Sequence, residues 1–260
     1  MEALAVILTS VLGLGSSLGI ITDRVVEGAI RQQVPKIEQL AVRVDNSPNY
    51  QLLLGRVDRI RLASRGVYFV PFLRIDTLEL ETDRIGIKTT NNKVELLEPL
   101  QAAVRVVLKE EDINRAIDSP FIRPLFQSIK VDFSGFNPSL GEEEIDIVNP
   151  RIYFLTDNKV RVTATLVNRK IDVKPLEISA EVSIEVLSNG NVKLNRVELS
   201  VAGVKIPDIL IGNLVRGINQ VLDLKQLEAQ GIKSRVLKFE VVPGQMQLIG
   251  FAQLDRLPSN

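Results

Sequence analysis

LEISAEVSIEV (176–186) carries an apolar residue at every second position. Leu176, Ile178, Ala180, Val182, Ile184 and Val186 fall on one side; Glu177, Ser179, Glu181, Ser183 and Glu185 fall on the other. Side chains of an extended chain alternate faces with a period of two, so a half-buried β-strand is predicted. Its apolar face is either ordinary core or the wall of a space meant for something apolar. The same alternation recurs in QAAVRVVL (101–108), VRVTATL (160–166), LKFEVV (237–242) and QMQLIGFAQL (245–254). The last two read as a hairpin around Pro243-Gly244. Polar outer faces point to antiparallel sheet, because parallel strands covered on both sides read as unbroken apolar runs.

Three stretches switch to helical spacing. From about Thr22 to Lys36, Val26, Ala29, Ile30, Val34 and Ile37 form one stripe, with Asp23 as the predicted cap. A second helix is predicted from Glu110, with acidic residues 110–112 complementing its amino-terminal dipole and Ile113, Ala116 and Ile117 on its apolar side. Ser119-Pro120 is read as a restart of that helix, leading into Phe121, Ile122, Leu125 and Phe126. A third begins after Pro207, with Ile211, Leu214, Val215, Ile218, Val221 and Leu222 as its stripe and Gly231 as its stop. Roughly ten strands and three amphipathic stretches must share one core. The predicted class is α+β: a long curved antiparallel β-sheet wrapped around amphipathic helices. VDRIRL (57–62), IDTLEL (75–80) and LNRVEL (194–199) each slip the two-residue period by one between their first and fourth positions, as a β-bulge would.

Composition removes several function classes. Of 260 residues, 45% are apolar and 25% charged, with 32 Lys and Arg against 32 Asp and Glu. No net field favours nucleic acid, and aromatics at 5% are too few for base stacking. There is no His, Cys or Trp. The commonest general base, the commonest zinc ligands and the thiol nucleophile are therefore all missing. Glu177, Glu181 and Glu185 share a strand face, but neighbours lie about 13 Å apart, too far for a catalytic dyad. Glu142-Glu143-Glu144 is read as a solvated loop. Gly13, Gly15 and Gly19 are spaced G-x-G-x-x-x-G, which is not the dinucleotide-binding fingerprint. No catalytic residue, cofactor or metal is assigned.

Ala3 to Ile21 holds no charge. A run of that length suits a membrane anchor or interfacial helix; a signal-like segment and a buried core helix are the other two readings. Residues 1–21 are set apart from a single α+β domain over 22–256. Arg56, Arg59, Arg61 and Arg65 crowd one short stretch with only Asp58 opposing them. Arg recognises phosphate bidentately, so these four are the candidates for lipid headgroup or membrane contact. The competing reading is a solubilising face paired with acids elsewhere.

Taken together, IEQLAVRVDNSPNYQLLLGRVDRIRLASRGV (37–67), LRIDTLELETDRIGI (73–87) and LQAAVRVVLKEEDINRAI (100–117), preceded by a helix and closed by a strand pair, resemble the LmeA family of bacterial phospholipid-binding proteins. The most specific pieces are Gly55-Arg56-Val57, the Ser64-Arg65-Gly66 turn and LKEEDINRA (108–116). The resemblance implies a curved sheet around helices, as in tubular lipid-binding proteins, enclosing an apolar tunnel for acyl chains. It also implies a phospholipid partner at a membrane surface, on the periplasmic side of the cell envelope, with no enzymatic residues. The positive-inside tendency of Arg24, Arg31 and Lys36 after the apolar run would instead leave the domain cytoplasmic if that run is an uncleaved anchor. Facing alone then nominates Leu176, Ile178, Val182 and Ile184, with Ile211, Leu214 and Ile218 of the third helix, as tunnel wall. The alternative is a membrane-tethered structural or interaction domain whose core is filled and holds no ligand.

Overall fold

The computed structural model describes residues 23–48, 51, 55–90, 93–132, 141–168, 174–221 and 232–255. In chain order the elements are α1 (Asp23–Gln33), β1 (Lys36–Asp45), β2 (Arg56–Val57), β3 (Arg59–Val70), β4 (Leu73–Thr82), β5 (Ile85–Thr90), β6 (Lys93–Leu96) and β7 (Leu100–Lys109). Then come α2 (Glu110–Ile117), β8 (Ile129–Asp132), β9 (Glu142–Phe154), β10 (Lys159–Asn168), β11 (Leu176–Val186), β12 (Val192–Val201) and β13 (Val204–Lys205). The chain finishes with α3 (Asp208–Val221), β14 (Ile232–Val242) and β15 (Gln245–Leu254). The class is α+β and the described strand pairings are antiparallel, as the alternation predicts.

The strands divide between two six-stranded sheets, ordered β1-β3-β4-β7-β15-β14 and β13-β12-β11-β10-β9-β8, and a three-stranded one, β2-β5-β6. After β7 the chain leaves the first sheet, builds the second, and returns to complete the first by pairing β15 with β7 from Leu254↔Leu100 to Gln245↔Lys109. Burial is deepest in the first sheet. Val26, Ile30 and Val34 of the α1 stripe pack into one cluster with Ile60, Leu62, Leu78, Leu80, Leu100, Ala102 and Leu254 from its inner face. Val57, Ile85 and Ile87 of the small sheet join the same cluster. Asp23 does not cap α1. It is the first helical residue, and its carboxylate accepts the Val44 backbone N–H of β1 at 2.7 Å, tying helix to strand.

The two large sheets meet through α2 and through β14. Asn114 of α2 mimics a neighbouring strand: its amide donates to the Ile152 carbonyl at 2.8 Å and its carbonyl accepts the Ile152 N–H at 2.9 Å. Phe154 N–H donates to Glu110 at 2.7 Å. Along β14, Val236 N–H donates to the Gly190 carbonyl and Val241 N–H to the Asn158 side chain, both at 2.8 Å. The hairpin turns of the second sheet thus sit against the outer edge of the first and satisfy part of its unpaired backbone. Gly190 has φ +84°, and a Cβ there would run into the Arg235 side chain. Only glycine fits this joint.

Several expectations are corrected. Glu142–Glu144 is not a loop but the start of β9, paired with β8 through Lys130↔Glu144 and Asp132↔Glu142. The Ser64-Arg65-Gly66 segment lies within β3 rather than in a turn, with Gly66 at φ +60° against the Glu38 side chain. The stretch after Ser119 forms turns and a short 3-10 segment, Arg123–Phe126, instead of resuming a helix. Pro120 and Pro124 each remove a backbone donor there. Of the three slipped hexapeptides, LNRVEL contains a bulge, since Val182↔Val197 is followed by Ile184↔Leu194. VDRIRL instead spans the break between β2 and β3, and IDTLEL stays in register with β3 from Ile75 to Leu80.

Candidate functional site

Strand register sets the residues of LEISAEVSIEV among their neighbours. Antiparallel partners share a face. Val182 sits between Val160 and Val197, with Phe154 beyond; Ala180 sits between Val162 and Leu199, with Ile152 beyond. Ile178 lies between Ala164 and Val201, and Leu176 beside Leu166 and Ile147. The bulges at Asn195-Arg196 and Asn149-Pro150 absorb the extra residues, so the apolar rows resume on the same face with Ile184↔Leu194 and Leu166↔Ile147. The result is an apolar surface four strands wide and about 20 Å long along β10, from Val160 to Leu166.

That surface is not closed. Ile145, Phe154, Ala164 and Leu194 are buried, whereas Ile152, Val160, Val162, Leu166, Ile178, Ala180, Val182, Ile184, Val197, Leu199 and Val201 are only half-buried. Leu176 is 42% exposed. Equivalent residues of the first sheet, Ile60, Leu62, Leu78 and Leu80, are each below 6%. The opposite face of the second sheet is polar and internally paired. Glu181 receives Lys159 at 2.9 Å and Arg161 at 3.0 Å, and these hydrogen bonds hold its carboxyl below the usual glutamate range.

Helices border the apolar surface on both sides. α3 packs along β12, where Asn219 accepts the Leu194 N–H at 2.7 Å. Ile211 is buried, and with Val215 and Val197 it lines a cleft of about 550 Å³. Leu214 and Ile218 belong to α3, but their side chains lie outside the described residues. On the β9 side, Ile117 of α2 and Phe126 of the 3-10 segment line a second cleft, of about 320 Å³, together with Ile147. Of the nominated wall, Leu176, Ile178, Val182 and Ile184 share one surface, and Ile211 stands at its margin beside Val197.

The nominated arginines lie elsewhere. Arg59, Arg61 and Arg65 are on β3 of the first sheet, whereas the apolar surface belongs to the second. Each has a carboxylate: Arg59 meets Glu81 at 2.8 Å, Arg61 meets Asp45, and Arg65 meets Asp76 at 3.7 Å. The Arg61 hydrogen bond holds the Asp45 carboxyl below its ordinary range. Arg56 is exposed, with no ion-pair partner among the described residues. These cations thus stand on other sheets than the apolar surface, and Arg59, Arg61 and Arg65 each pair with a neighbouring acid.

A charge cluster escaped sequence reading altogether. Arg74 donates to Glu38 at 2.8 Å, to Asp76 at 3.1 Å and to Asp112 at 3.0 Å, while Lys109 reaches Asp76 at 3.3 Å. Asp112, whose side chain is 1% exposed, also accepts Arg115 at 2.8 Å. This network pins α2 to β1 and β4. The signal lay inside LKEEDINRA and LRIDTLEL, but its partners are 36 and 38 residues apart in sequence.

The amino-terminal run Ala3–Ile21 and its glycines lie outside the described residues. No helix among the described residues is long and apolar enough to cross a membrane. Comparison with protein families matches residues 16–251 to the family described as LmeA-like phospholipid-binding. Comparison with curated proteins yields no match.

Proposed function

The chain belongs to the LmeA-like phospholipid-binding family, and on that premise we propose that it holds the acyl chains of a phospholipid on the apolar face of its second sheet, without catalysing a reaction. One observation carries the assignment to that face. Two sheets of the same alternating sequence type differ in closure: the first is sealed by α1, and the second presents a half-buried apolar surface between α2 and α3. Each methylene transferred from water is worth about 0.8 kcal/mol, so a sixteen-carbon chain contributes on the order of 10 kcal/mol before ordering costs. Bulges at Asn195-Arg196 and Asn149-Pro150 add twist and curl the sheet toward such a chain, the tubular wrapping this reading expects. In this reading the protein works at a membrane of the cell envelope and can pass lipid from one bilayer to another. The resemblance and the apolar run 3–21 support that location.

The test is native mass spectrometry of protein purified without added lipid, followed by uptake of a fluorescent phospholipid. Phospholipid in stoichiometric amount is expected, and Ile178→Asp with Val182→Asp should abolish it while leaving the fold intact. A bare wild-type protein that takes up no lipid would instead establish a structural domain with a filled interior.

A further inference from the structure

Resting on the lipid-holding reading, we propose that the protein docks on a bilayer through a second, separate surface: the apolar tip where the β3–β4 turn meets the loop after α2. β3 ends at Val70 and β4 begins at Leu73, leaving Pro71-Phe72 as the turn. The Phe72 ring lies tilted against Phe121 at 5.7 Å between centroids, joining the two loops at one place. Phe121 is 63% exposed, Leu125 68% and Val70 38%. Large side chains left this exposed in one cluster mark an interaction surface.

Chemistry identifies the partner. Residues 70–73 (VPFL) and 119–127 (SPFIRPLFQ) contain no acid and one charge, Arg123, which is exposed and has no ion-pair partner among the described residues. Three of the nine Phe of an aromatic-poor chain are gathered here: Phe72, Phe121 and Phe126. A protein partner needs a rim of hydrogen-bonding groups, and this segment offers few beyond Ser119, Arg123 and Gln127. Hydrocarbon needs none. A lone cation beside the apolar residues suits the anionic headgroup layer. Phe126 also lines, with Asp118, Asp146 and Ile147, the cleft at the β9 margin of the apolar face, so the tip neighbours the lipid surface without being part of it.

The chain contains no Trp, so Phe121→Trp makes a single-tryptophan reporter within the full-length protein. Vesicles of phosphatidylcholine and phosphatidylglycerol are expected to blue-shift its emission, and a bromine-labelled lipid should quench it. Leu237→Trp, on β14 and 58% exposed, is expected to stay in water. Adding Leu125→Asp should weaken vesicle binding at least tenfold while uptake of a fluorescent phospholipid from solution persists. An emission unchanged by vesicles overturns docking. So does a blue shift without vesicles that accompanies doubling of the mass, because a second copy would then be the occupant. Docking by a protein that takes up no lipid would leave the tip standing and overturn the lipid-holding reading.

Discussion

Asp112 shows how a buried charge is tolerated here. Its two oxygens accept from Arg74 and Arg115, so neither lone pairs nor charge are left uncompensated. Replacing it with Asn strands Arg74 among fewer partners, and urea denaturation should show a loss of about 3 kcal/mol. Three acids nearer the surface tie stability to pH. Hydrogen bonds from Arg74 to Glu38, from Arg61 to Asp45 and from Lys159 to Glu181 hold these carboxyls below their ordinary range. A group whose folded pKa lies below its unfolded one stabilises the fold above the unfolded value and ceases to do so as pH falls through the folded one. The melting temperature should therefore be level above about pH 5 and fall below about pH 4. Glu38→Gln should show a shallower acid decline; an identical profile would remove Glu38 from the account.

At the scale of elements, the two large sheets make opposite predictions for one kind of substitution. Leu80 of β4 lies in the closed cluster under α1, so Leu80→Ala should cost about 2–5 kcal/mol by chemical denaturation. Val182 of β11 is half-buried among other half-buried residues, so Val182→Ala should cost about 1 kcal/mol or less. Equal losses would mean that the second sheet is as tightly closed as the first. The difference arises because α1 and the residue that follows it spread Val26, Ile30 and Val34 over the first sheet, whereas α3 packs along β12 and α2 against β9, leaving β10 and β11 between them.

For the whole molecule, an unfilled apolar surface couples ligand to stability. Phospholipid that binds only the folded chain adds about 2.7 kcal/mol at a hundred times its dissociation constant. For a chain of this size that raises the melting temperature by about 5–10 °C. Delipidated protein titrated with phospholipid in a thermal melt should show this rise, and a soluble phosphate ester without acyl chains should not. A rise with the ester alone would place the affinity in the cations rather than on the apolar sheet.

Local chemistry alone determined much of this protein. The alternation of 176–186, the stripe of Val26, Ile30 and Val34, and the hairpin at Pro243-Gly244 follow from side-chain periodicity and turn geometry, both properties of neighbouring residues. Periodicity says which face is apolar; it does not say what covers it. That was decided by tertiary structure, because the cover for the first sheet comes from α1 and the small sheet, and its last strands come from the far end of the chain. The arginines of β3 follow the same logic. RVDRIRLASR reads either as a free cationic cluster or as a face paired with acids elsewhere, until strand pairing sets Asp45 opposite Arg59 and Glu81 opposite Arg61. The ion pairs cross diagonally, from Arg61 to Asp45 and from Arg59 to Glu81. Charge along a strand is local, but compensation acts across strands, and only the folded register sets which acid stands opposite which base.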